Sequence, residues 1–216
     1  MTQHTSHTTP TPTPTPANIP TELAAFINHA WAQLTRATKD RKHPFHLITA
    51  ATIDEQCLPS LRTVVLRHAD QDTRTLRFHT DARSPKTTHI TSNARLAILA
   101  YDTKHKLQIR INATARVERN TPEADRAWSN TKLMSRRCYL APSPPSQQTE
   151  HWDPNLPHQF ITTNPTEPES QPGRENFAIV VATAQRLDVL HIAHDGHRRA
   201  AATYTPDNEH LQWLTP

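Results

Sequence analysis

The sequence predicts a mostly β chain with helices at its flanks, closed as a small antiparallel barrel. Three observations predict it. Five short β-branched or alternating runs, "FHLITAATI", "LRTVVLR", "TLRFHT", "LAILAYD" and "LQIRINATARVER", follow one another between Phe45 and Arg119. Turn-rich breaks, "DEQCLP", "HADQD" and "DTKHK", divide most of them, as in an antiparallel meander. Two further apolar runs close the chain, and this many consecutive strands would leave long unpaired edges unless the sheet closes on itself.

Taken in order, residues 1–19, with "TPTPTPTP", hold too little apolar surface to offset chain entropy and read as a disordered tail ahead of one domain over 20–216. After Pro20, Leu23, Phe26, Ile27, Ala30, Trp31 and Leu34 recur at helical spacing and predict a helix with one buried face. The fifth strand run alternates most clearly. Leu107, Ile109, Ile111, Ala113, Ala115 and Val117 share one face, while Gln108, Arg110, Asn112, Thr114 and Arg116 share the other, a polar face suited to a site or an interface.

Between strands, "SPKTTHITSN" predicts a short helix with Ser84 as N-cap and Pro85 first. "TPEADRAW" predicts another, capped by Thr121, with Glu123 and Asp125 near its positive end. A proline-rich loop spans 141–172. Closing strands are expected near 177–192 and 198–205, joined at "HDGH" by a tight turn in which Asp195-Gly196 supplies positive φ, and "LQWLTP" is the last strand.

Composition excludes several classes. The chain of 216 residues has only 2 glycines, Gly173 and Gly196, so it holds no glycine-rich phosphate loop of the dinucleotide or P-loop kind. Its net charge of +4 is mild and its basic residues are interspersed with acidic ones, which argues against a nucleic-acid partner. Without an apolar run long enough to span a bilayer, and with Cys57 and Cys138 few and far apart, a cytoplasmic protein with free thiols and no membrane partner is expected. His191, His194 and His197 are spaced by three, which in strand and turn alternates faces and does not converge three imidazoles, so no metal site is expected.

The stretch from Leu61 to Lys86 holds the chemistry. Arg62 and Arg67 stand in one strand on opposite faces, where they bracket an extended ligand; Arg83, Ser84 and Lys86 stand at a helix start. A helix N-terminus offers unpaired N–H groups and a favourable dipole, and Lys86 adds a full charge, so the pattern suits a phosphate.

These residues carry a resemblance. "RTVVLR", then "FHTDARSPK", then "LQIRINATARVER" resemble, in order and spacing, the flavin-binding segments of the pyridoxamine 5′-phosphate oxidase-like family, the FMN-binding split β-barrels. The resemblance covers residues 40–140 well and 177–216 loosely. It implies a split-barrel fold, FMN as cofactor, and a homodimer with FMN at the subunit interface. It assigns cofactor contacts to Arg62, Thr63, Val64, Val65 and Arg67 on one strand, and to His79, Thr80, Ser84 and Lys86 around the helix start, with Pro85 in place of a basic residue. It also assigns Gln108 to the flavin edge, and "SRRCYLAPSPP" supplies Ser135 and Arg136 from the partner subunit. At the C-terminus "HIAHDGHRRAAATY" departs from the family's substrate signature; Arg198 and Arg199 are the substrate-binding candidates, and oxidation of a B6 vitamer is not implied.

The reading that follows is an FMN-dependent oxidoreductase acting on an unidentified small molecule, with the chemistry in the cofactor and no catalytic side chain required. A non-catalytic carrier or sensor of flavin, haem or deazaflavin on the same barrel is the alternative. A basic interaction protein with acidic partners is the third.

Overall fold

The structure is a computed structural model and describes residues 19–216. The expected tail lies outside the described residues, apart from Ile19. That residue is buried in the main core, and its carbonyl accepts a hydrogen bond from Arg198.

Helix α1 (Leu23–Lys39) buries the predicted face, with Phe26, Ile27, Ala30, Trp31 and Leu34 almost wholly inaccessible. Trp31 Nε1 donates to the Tyr204 hydroxyl at 2.8 Å, which ties the helix to the end of a distant strand. The first strand was expected from Phe45 but begins at Leu47, because Pro44–His46 form a 3-10 turn whose Phe45 N–H is capped by His43 Nδ1 at 3.1 Å.

Eight antiparallel strands follow: β1 (Leu47–Ile53), β2 (Pro59–Asp70), β3 (Thr75–Asp81), β4 (Arg95–Asp102), β5 (Leu107–Glu118), β6 (Phe177–His191), β7 (Arg198–Tyr204) and β8 (Glu209–Leu214). Their order is β3-β2-β1-β4-β5-β6-β7-β8, and β3 pairs again with β6 from Thr75↔Thr183 to Asp81↔Phe177. That second pairing closes a six-stranded barrel, from which β7 and β8 extend as a flap.

This connectivity corrects the expected meander. Helix α2 (Pro85–Ser92) carries the chain across the barrel end, so β4 pairs with β1 and not with β3, whose free edge is taken by β6. The physical reason is the length of β6, whose 15 residues pair with β3, β5 and β7 in turn.

The barrel interior is apolar and closely filled. Alternate residues of β5 point inward as predicted, with Ile109 and Ile111 at 0% exposure. Outside the barrel a smaller apolar cluster joins Phe177, Ile179 and Val181 of β6 to Ala124, Ala127 and Trp128 of α3 (Pro122–Ser129). This second cluster explains why β6 is apolar on both faces. Thr121 caps α3 as expected, accepting from the Ala124 N–H at 3.2 Å.

Two loops differ from expectation. The β6–β7 connection is not a tight two-residue turn but spans 192–197, and only Gly196 takes positive φ, at 124°. Within 141–172 the chain forms a 3-10 turn at His158–Phe160 and a short helix at Glu167–Ser170 closed by a Thr166–Glu169 capping box. Among the described residues no helix is long and apolar enough to cross a membrane.

Candidate functional site

A cleft of about 370 Å³ opens beside β2 and β3. Arg62 to Val65 and His79 to Asp81 floor it, Lys86 stands at one end, and Cys138, Tyr139 and Pro145 form a wall. Alternation places these groups. Arg62 pairs with Ala50 and shares the inward face at the barrel mouth, whereas Thr63 and Val65 face outward.

The polar end is a mesh of hydroxyls and two cations. Lys86 Nζ donates to Thr80 Oγ1 at 3.0 Å and to Ser84 Oγ at 2.9 Å, and the two hydroxyls lie 3.1 Å apart. Arg62 donates to Thr52 Oγ1 and to Ser60 Oγ, each at 2.8 Å. Burial lowers the pKa of Lys86, and the neighbouring Arg62 lowers it further. Burial lowers that of Arg62 as well. Among the described residues neither cation forms an ion pair; the nearby Asp81 is held by Arg83 at 2.8 Å. Two partly desolvated cations bonded only to neutral oxygens leave a site that a dianion would neutralise, and these residues therefore fit the phosphate of a mononucleotide.

A second hollow of about 480 Å³ adjoins the cleft, sharing Val65 and His79. Arg67 lines it because a bulge between Leu66 and His68 turns that residue out of the ladder. His79 sits at the junction with its ring edge-on to Phe177, 4.9 Å between centroids, and its buried Nδ1 has no hydrogen-bond partner among the described residues. Burial first, then the charges of Arg67 and Arg77, hold its pKa down at about 3, so the imidazole is neutral at ordinary pH.

Of the expected site residues, the cleft gathers Arg62, Thr63, Val64, Val65, His79, Thr80 and Lys86, with Ser84 bonded behind them. The adjoining hollow gathers Arg67 and Ser135. Four others lie apart within one chain. Gln108 sits on the outer face of β5 opposite Tyr101. Arg136 is turned inward at 3% exposure, bonded to the carbonyls of Ser129 and Thr131 and to Glu167 at 2.5 Å, and stacked over Trp128. Arg198 holds the carbonyls of Ile19 and Pro20, and Arg199 shares Asp188 with Arg110.

Sequence reasoning missed the wall and most of the second hollow. Arg77 had a legible signal, since it alternates with His79 on one face of β3. Cys138, Tyr139 and Pro145 lie in the stretch that the resemblance assigned to the flavin, but only Ser135 and Arg136 were picked from it and it was expected to reach the partner's site, whereas the loop folds back over β3 of its own chain. Both cysteines are free and exposed. Among the described residues no three His, Cys, Asp or Glu side chains are grouped as metal ligands would be.

Residues 28–119 match the family model described as pyridoxamine 5′-phosphate oxidase, FMN-binding domain. Among solved structures, a pyridoxamine 5′-phosphate oxidase-related, FMN binding protein from Nostoc punctiforme is 19% identical, with a TM-score of 0.68 over 87% of this chain and 96% of that one. PhzG from Burkholderia lata, solved in complex with tetrahydrophenazine-1-carboxylic acid, is 16% identical, with a TM-score of 0.64 over 92% of this chain and 95% of that one. Among curated proteins, no sequence match is found. Residues 28–119 thus match the FMN-binding domain model of the pyridoxamine 5′-phosphate oxidase family, and the chain around them has the fold of these split-barrel structures.

Proposed function

We propose that the chain binds FMN in the cleft and works as an FMN-dependent oxidoreductase in a reducing compartment such as the cytoplasm. The observation that carries this reading is the pair Arg62 and Lys86, close enough to depress the Lys86 pKa yet bonded only to hydroxyls and a carbonyl. These two cations, with Thr80 and Ser84, would hold the phosphate, and Thr63 to Val65 with His79 would line the rest of the cofactor. When bound, the flavin supplies hydride or electron transfer. The protein anchors it, excludes water with the Tyr139 and Pro145 wall, and presents a neutral imidazole at the boundary with the second hollow.

The proposal extends to a homodimer. On the outer face of β2, β1 and β4 the apolar side chains Leu61, Leu47, Leu99 and Tyr101 are 63%, 56%, 40% and 39% exposed. They form a contiguous patch, since β1 lies between β2 and β4. Leu47 also lines the cleft, so a second copy seated on this patch would roof the cofactor. Gln108 adjoins Tyr101 on the same face, so in such a dimer the flavin edge it meets would be the partner's.

Titration with FMN, followed by flavin fluorescence and by the visible spectrum, tests the reading. Wild-type protein is expected to bind, and Lys86→Ala to lose about 1.5–3 kcal/mol, the worth of a charge-assisted contact. Equal affinity in the two proteins would overturn the phosphate assignment. Reduction of the bound flavin by NADH or NADPH separates an enzyme from a carrier.

A further inference from the structure

Arg62 can hold a ligand only if its own side chain is held first. Its Nη1 donates to Thr52 Oγ1 at 2.8 Å and to the Ala50 carbonyl at 3.3 Å, and its Nη2 to Ser60 Oγ at 2.8 Å. The Nε–H and one Nη2 hydrogen are left over, enough for a two-point contact with an oxyanion. Thr52 is the demanding partner. It is 0% exposed, so no solvent reaches its hydroxyl, and a guanidinium has no lone pair to offer it. The hydroxyl must therefore direct its own hydrogen elsewhere.

Among the described residues one other group bonds it: His89 Nδ1, 3.1 Å from Thr52 Oγ1. The direction of that bond follows. Thr52 accepts from Arg62 and donates to His89, which requires a bare Nδ1 and places the ring proton on Nε2. His89 is half-buried and lines an open groove of about 400 Å³ with Asp54 and Glu55, so a ring N–H there is not stranded in apolar surroundings. Helix α2 thus reaches the polar end of the cleft twice. Lys86 in its first turn stands there directly, and His89, three residues on and on the same side of the helix, reaches it through Thr52.

We propose that His89 is a positioning residue for the cofactor phosphate: it takes the Thr52 hydroxyl hydrogen, which turns an oxygen lone pair to Arg62 and fixes the guanidinium at the mouth of the cleft. The inference rests on the FMN reading for the ligand, though not for the geometry. Without the imidazole acceptor the buried hydrogen has no partner, and a side chain that relaxes to find one loosens its hold on Arg62.

Fluorescence titrations with FMN and with riboflavin, the same ring system without the phosphate, test it. Wild-type protein is expected to prefer FMN. His89→Leu is expected to weaken FMN binding about three- to tenfold, the worth of one neutral hydrogen bond, and to leave riboflavin affinity unchanged. His89→Asn, whose amide oxygen accepts from nearly the Nδ1 position, is expected to keep the wild-type preference. Thr52→Val is expected to weaken FMN at least as much as His89→Leu, and adding His89→Leu to it to change nothing further, because both break one chain of bonds. A loss shared equally by FMN and riboflavin, or losses that add, would overturn the proposal. Should a variant fail to fold, long-range proton–nitrogen correlation on the ligand-free wild type decides, at about pH 8, where an ordinary imidazole is neutral. A bare Nδ1 on His89 supports the proposal and a protonated one overturns it. The bare-Nδ1 tautomer in a protein with no preference for FMN would sink the cofactor reading alone.

Discussion

Ser84 occupies the N-cap position of α2, yet its hydroxyl makes no capping bond and turns instead to Lys86. A capping residue is thus diverted to fix a cation, which is what a ligand site asks of it. His79 shows the same trade between stability and site. An unfolded histidine titrates near 6.5, and the folded one near 3. The unfolded chain therefore binds the extra proton between these values, so the contribution of His79 to stability is complete above about pH 6.5 and is lost as pH falls toward 3. The loss approaches about 1.4 kcal/mol per pH unit within that window. For a chain of this size that is a fall of roughly 3–5 °C per unit in thermal midpoint. His79→Gln should flatten this part of the midpoint-against-pH curve; a slope equal to that of the wild type would refute the assignment.

At the scale of elements, α3 and the end of β6 set the cleft wall. Phe177 is wholly buried, with its ring 5.2 Å from Trp128, 5.0 Å from Tyr139 and 4.9 Å from His79. Gly173 lets the chain pass close by, since a Cβ there would lie 3.3 Å from Trp128 Cη2 and from the Tyr139 backbone. One ring thus braces both the floor residue His79 and the wall residue Tyr139. Phe177→Ala should cost about 3–5 kcal/mol of stability, read by urea denaturation, because the cavity left cannot collapse around a closed sheet. It should also weaken FMN binding, as Tyr139 loses its support. FMN affinity unchanged in a destabilised variant would show that the wall does not depend on this cluster.

For the whole molecule, the proposed dimer makes the outer face of β2, β1 and β4 the decisive surface. Sedimentation of the wild type is expected to report a dimer, and Leu47→Glu combined with Leu99→Glu to report a folded monomer with weakened FMN binding. A wild type that sediments as a monomer would remove the dimer from this account. Local pattern was enough to read α1, the alternation of β5, the starts of α2 and α3, and Arg62, Ser84 and Lys86 as phosphate candidates, because each depends on neighbours a few positions away; the other cleft residues came from the family resemblance. Sequence alone was therefore enough to place the inward faces of α1 and β5 and to mark Arg62, Ser84 and Lys86 as phosphate candidates. Only the tertiary structure decided that β6 closes against β3, that β4 joins β1, that Cys138 and Tyr139 reach the cleft, and that Gln108, Arg198 and Arg199 stay away from it within one chain. The reason is physical: periodicity tells a side chain's face, but strand pairing is chosen by long-range hydrogen bonding and burial, and these bring together residues that share no local pattern.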